Sequence, residues 1–218
     1  MGELVSSGAI SAERAESVGI PVGNLEPLAV ESVTVPNLMQ LKVTFNAGVT
    51  LKSASEPNNY AVYAGRSRID IVVANLQPDG RTVILTLDKA VSQNELLDLT
   101  VRNIRGINGD RISREEYNGI ECIDILSPKV EKIEVLGEDT IAVTFNEPVE
   151  AGNKYLYEVN RGDIPVKRVI EQDNYTKFIL ILEHEPETSK ISLRISGNVK
   201  DMAGFNLIPV TYDVDMEN

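Results

Sequence analysis

Leu41-Lys42-Val43-Thr44-Phe45-Asn46 returns 100 positions downstream as Ile141-Ala142-Val143-Thr144-Phe145-Asn146. The segment ahead of it does the same, Val30-Glu31-Ser32-Val33-Thr34-Val35 recurring as Val130-Glu131-Lys132-Ile133-Glu134-Val135. Two segments that keep one displacement mark an internal duplication, which has to be recognised before any element is assigned. With a contraction of five residues the match runs on: Tyr60 aligns with Tyr155, Val83, Leu85 and Leu87 with Phe178, Leu180 and Leu182, and Ile104, Ile107 and Gly109 with Val199, Met202 and Gly204.

Inside the repeated stretch the apolar residues alternate. Val43 and Phe45 point one way and Lys42 and Thr44 the other, the period of a half-buried strand. The same alternation predicts strands near 30–35, 41–46, 59–63, 69–75, 82–87, 97–103 and 118–125 in the first unit. In the second it predicts them near 130–135, 140–146, 155–159, 164–171, 177–183, 190–196 and 207–214. Turn signals such as Pro78-Asp79-Gly80 and Asn108-Gly109 separate them. Seven short strands in roughly a hundred residues, with no convincing helix, is the pattern of an immunoglobulin-like β-sandwich. The expected fold is therefore all-β: two tandem immunoglobulin-like β-sandwiches, residues 28–126 and 127–218, with a short linker at Ile125-Leu126-Ser127-Pro128 stiffened by the proline. Residues 1–27 form a short, partly helical or irregular segment in the place where a preceding region would end. Ser11 and Gly19 could cap one or two helical turns there.

Composition agrees with a folded, soluble chain. The 218 residues are 42% hydrophobic and 25% charged, with a mean hydropathy of −0.11. No apolar run is long enough to span a bilayer and no secretory signal opens the chain, so membrane insertion is not expected. The net charge of −12 argues against nucleic acid and anionic lipid as partners. The acidity gathers in residues 127–218, which carry 10 basic and 17 acidic side chains. The single cysteine, Cys122, rules out an internal disulfide and reads as a small buried hydrophobe.

The unit plan resembles the bacterial Ig-like modules of S-layer proteins and other secreted surface proteins, the SbsA-like type. Val143-Thr144-Phe145-Asn146-Glu147-Pro148-Val149 matches the strand and acidic-Pro-Val step with which such modules begin. Val199-Lys200-Asp201-Met202-Ala203-Gly204-Phe205-Asn206 matches their closing Lys-Asp turn apart from the inserted Phe205. The first unit departs at both places, with Ala47-Gly48-Val49 and with Ile104-Arg105-Gly106-Ile107-Asn108-Gly109-Asp110. The resemblance implies an extracellular setting at the bacterial cell surface, a structural or spacer role, and contacts with other surface-protein subunits or neighbouring domains. It brings no catalytic residues. An adhesion or carbohydrate-binding accessory module, with cell-wall glycan as partner, is the alternative it leaves open.

The residues themselves offer little catalytic chemistry. The one histidine, His184, lies in the polar turn Glu183-His184-Glu185-Pro186-Glu187, so neither an acyl-transfer triad nor a multi-histidine metal site can be assembled, and no enzyme is expected. No cofactor is required by any motif. Calcium, which takes several oxygen ligands, is the one the carboxylates could hold. Asp201, Asp213 and Asp215 are the candidate ligands, with Glu147 and Glu150 near the unit ends. Asp213-Val214-Asp215 is also the pattern of a charged edge strand with one wet face. Arg161-Gly162-Asp163 spells an integrin-type tripeptide but reads more simply as a turn, because Asn160 and Gly162 tolerate positive φ. Phe45, Phe145, Tyr60, Tyr155 and Phe178 are expected in the cores. Tyr63, Tyr117 and Tyr157 are candidates for the surface, with core or rim packing favoured.

Overall fold

The computed structural model describes residues 26–217; the helical turns expected in 11–19 lie outside the described residues. The first unit contributes β1 (Val30–Asn37), β2 (Gln40–Phe45), β3 (Tyr60–Ala64), β4 (Ser67–Ile69), β5 (Ile71–Leu76), β6 (Thr82–Leu87), β7 (Leu96–Arg105) and β8 (Arg111–Glu121). They form two four-stranded antiparallel sheets, β1-β2-β6-β5 and β4-β3-β7-β8. The second contributes β9 (Val130–Gly137), β10 (Thr140–Phe145), β11 (Val149–Glu150), β12 (Tyr157–Val159), β13 (Val166–Gln172), β14 (Lys177–Leu182), β15 (Lys190–Ile195), β16 (Lys200–Asp201) and β17 (Val210–Asp215). Here the sheets are β9-β10-β14-β13, β12-β15-β17 and the small pair β11-β16. A single helical turn, α1 (Leu51–Ala54), follows β2.

The repeat is visible in the register. In β2, Leu41 and Val43 stand opposite Leu85 and Val83 of β6. In β10, Ile141 and Val143 stand opposite Leu180 and Phe178 of β14. All eight are buried. Because side chains alternate across a strand, one face of each sheet fills a core while Lys42 stays exposed. Two separate hydrophobic cores result, one built from residues between Leu28 and Cys122, the other between Ile141 and Val214. Cys122 is buried in the first, and burial pushes its thiol up to about 11, so it behaves as the expected inert hydrophobe.

The asparagine that ends each repeated strand has a structural task. Asn46 Oδ1 accepts from the Ala29 amide at 2.9 Å and Asn146 Oδ1 from the Lys129 amide at 2.6 Å. Each thereby pins the chain one residue before the first strand of its unit begins, after Pro27 and Pro128 respectively.

Three expectations need correction. Tyr155 is 83% exposed, and the partner of Tyr60 is Tyr157. Tyr60 donates its hydroxyl to the Ala54 carbonyl at 2.9 Å and Tyr157 to the Ala151 carbonyl at 2.9 Å, the same bond in each unit. Tyr155 lies in the 3₁₀ turn Lys154–Leu156, which breaks strand alternation and turns the ring outward. Second, the last strand of the first unit runs over Arg111–Glu121, not 118–125. It is the edge of its sheet and, although Ile112, Tyr117 and Ile120 pack on the core, it carries charged side chains on both faces, as edges that resist further pairing do. Third, residues 122–126 form no strand, and Ile125 and Leu126 are exposed. Tyr63 and Tyr117 are half-buried at the rim.

Candidate metal centre at the junction of the two units

Asp124 is positioned from the first unit. Gln93 grips its peptide from both sides, Nε2 donating to the Asp124 carbonyl at 2.6 Å and Oε1 accepting from the Asp124 amide at 3.1 Å. The carboxylate uses Oδ1 to accept from the Leu126 amide at 3.2 Å. Glu147 comes from the second unit, two residues after Phe145 ends β10, and receives only a long 3.4 Å bond from Asn146 Nδ2. Asp201 closes the short strand β16, where it stands opposite Val149 of β11. Its Oδ1 accepts from the amides of Ala203 and Phe205, both at 2.8 Å, and so folds the turn that Gly204 completes at φ +89°. In the same turn Met202 and Ala203 pack against the core of the first unit.

These elements bring three carboxyl groups together across the junction. Asp124, Glu147 and Asp201 each present an oxygen to a set whose members all lie within 4.8 Å of one another. The three residues are only 2%, 4% and 3% exposed. Asp124 Oδ2 and Asp201 Oδ2 are buried with no hydrogen-bond partner. No cationic side chain forms an ion pair with any of the three among the described residues.

Burial with like-charged neighbours disfavours ionisation. Loss of hydration, then the charges of Asp124 and Asp201, push the Glu147 carboxyl up to about 7. Burial chiefly, with Asp201 adding to it, also raises Asp124 against the opposing pull of the Leu126 amide. The folded state therefore holds a proton on Glu147 that the unfolded chain releases near the ordinary glutamate value. The resulting stability is complete below that value and is lost as pH rises through about 7. In metal-free buffer, urea unfolding of the chain between pH 4.5 and 7.5 should show a decline that Glu147→Gln flattens. Parallel profiles for the two proteins would contradict this.

Of the ligand candidates read from the sequence, Asp201 and Glu147 are in this cluster. Asp213 and Asp215 are exposed on β17, an edge strand, and Glu150 is exposed on β11. Asp124 is hidden from the sequence because the alternation extends a strand over 118–125, and an acidic residue at the end of a strand ordinarily faces water, whereas the chain leaves the sheet after Glu121. The first unit has Ala47 and Gly106 where the second has Glu147 and Asp201, so its departures from the repeat fall at the positions that carry this chemistry. His184 is exposed, its Nδ1 3.1 Å from the Glu185 carbonyl oxygen. Arg161-Gly162-Asp163 lies in a turn in which Asn160, Arg161 and Gly162 all have positive φ, and Asn160 Oδ1 accepts from the Ser192 amide at 2.8 Å. Backbone geometry thus accounts for Asn160 and Gly162.

The fold and the junction describe an all-β chain with two cores in series and no helix, among the described residues, long and apolar enough to cross a membrane. Its similarities to known proteins are these. The chain is 29% identical over 95% of its length to an outer cell wall protein of Brevibacillus brevis, covering 19% of that protein. It is 27% identical over 85% of its length to a surface-layer 125 kDa protein of Lysinibacillus sphaericus, covering 15% of it. The chain thus spans less than a fifth of the length of these curated relatives. Residues 23–102 match a family described as a putative flagellar system-associated repeat. Among solved structures, domains 1–6 of the surface layer protein SbsC align over 94% of this chain and 28% of that one, with a TM-score of 0.55 and 13% identity, a likeness of fold.

Proposed function

We propose that the chain is a structural segment of a bacterial cell-surface protein of the S-layer type, extracellular and non-enzymatic, built from two immunoglobulin-like sandwiches in tandem. The similarity that runs through 95% of the chain to an outer cell wall protein carries this reading. The architecture supports it physically. Two cores of short strands give stiff units. Asp124 is held by Gln93 of the first unit and the next strand begins at Val130, so only residues 125–129, with Pro128 among them, are left to bend between the units. Charged edge strands such as β8 and β17 leave loops and unit ends as the surfaces for contact with other subunits of the layer.

Small-angle scattering tests the reading together with a binding assay on purified cell-wall glycan. An elongated two-unit particle that does not bind the glycan is the expected result. Saturable glycan binding would favour a carbohydrate-binding accessory module, and a compact globule would overturn the spacer role.

A further inference from the structure

We propose that Asp124, Glu147 and Asp201 form a binding site for one calcium-sized divalent cation, which fastens the second unit to the end of the first. This goes beyond the structural role proposed above and does not depend on it.

Three observations carry the assignment. The first is the unpartnered oxygens. Asp124 Oδ2 and Asp201 Oδ2 are buried and accept nothing, although a buried carboxylate oxygen without a partner is costly. The second is spacing. Oxygens bound to one Ca²⁺ at about 2.3–2.6 Å lie no more than roughly 5 Å apart. The three carboxyl groups offer atoms all within 4.8 Å of one another. The third is the donor set. It contains only carboxylate oxygen, with neither histidine nor thiolate, which suits a hard cation and disfavours zinc or copper.

The supports of the site show what the ion would join. Asp124 is held by Gln93 of the first unit, while Glu147 and Asp201 belong to the second. The two aspartates spend one oxygen each on local amides and leave the other free, so their orientation is set before any ion arrives. A cation bound here removes the repulsion among three buried acids and links two units that are otherwise covalently joined by a few residues of chain.

The test uses the full chain stripped with EDTA, titrated with calcium by calorimetry and melted with and without the ion. One saturable site per chain is expected, with a calcium-dependent rise in Tm. Glu147→Gln and Asp124→Asn should each weaken binding by roughly tenfold or more, since affinity follows ligand charge. Glu147→Gln serves also as a folding control: it removes repulsion, so in EDTA it should melt above the native chain and in calcium below it. A native Tm indifferent to calcium would overturn the proposal. So would a calcium response that both variants retain, because the ion would then sit elsewhere. Magnesium binding as tight as calcium's would overturn the assignment to a calcium-sized ion.

Discussion

Phe145→Ala should lower the stability of the second unit by about 3–5 kcal/mol, the range for removing a fully buried phenylalanine when the surroundings close only in part. Phe145 is 1% exposed, and its ring meets Phe178 edge to face, with centroids 5.7 Å apart and planes at 82°. Truncation removes the apolar area and this oriented contact together; the contact alone is worth about 0.5–1.5 kcal/mol. The first unit has its own core around Phe45, and no residue of the Phe145 cluster belongs to it. Denaturant unfolding followed by hydrogen exchange should therefore show protection falling in β9–β17 and holding in β1–β8. Equal losses in both halves would mean that the two cores unfold as one cooperative body. A loss below about 1 kcal/mol would mean that the site collapses around the missing ring far better than cores ordinarily do.

What could be read from the sequence follows from how residues alternate. Val43 and Phe45, with Val143 and Phe145, are legible as core residues because period-two burial leaves a direct trace in the order of residues, and the duplication supplies each strand twice. Tyr155 and Tyr157 defeat the same logic. Two residues apart, they share a face in any strand, so alternation cannot choose between them. Only the 3₁₀ turn at Lys154–Leu156 separates the exposed ring from the one bonded to Ala151. The displacement between units also shrinks in steps, 97 at Tyr60 and Tyr157 and 95 at Val83 and Phe178, so a single contraction of five leaves the tyrosines two places out of register. β8 escaped in part because Arg111-Ile112-Ser113-Arg114-Glu115-Glu116 has charge on both faces, as an edge strand permits. The carboxyl cluster was half legible. Glu147 and Asp201 stand out as acids the first repeat lacks, whereas Asp124 comes into range through the path of the chain between units, which no local pattern encodes.

Asp201 tests how the two oxygens of one carboxylate divide their work. Oδ1 accepts from the Ala203 and Phe205 amides at 2.8 Å each, while Oδ2 has no partner. Asparagine keeps an acceptor in the Oδ1 position and discards the charge. Alanine discards both and leaves two amides of a half-buried turn without their partner. Hydrogen bonds to a charged acceptor contribute about 1.5–3 kcal/mol each, and some of that returns when the repulsion from Asp124 and Glu147 disappears. In metal-free buffer Asp201→Ala should therefore cost the second unit about 2–4 kcal/mol, and Asp201→Asn should be close to neutral or mildly stabilising. The alanine variant should also loosen the packing of Met202 and Ala203 on the first core, since the turn that presents them is held by the same oxygen. Faster amide exchange at Ala203 and Phe205 in the alanine variant, absent in the asparagine one, would locate the effect in the turn. Equal destabilisation by both substitutions would mean that the charge itself, not the acceptor, holds the turn, and the separation of roles between Oδ1 and Oδ2 would be wrong.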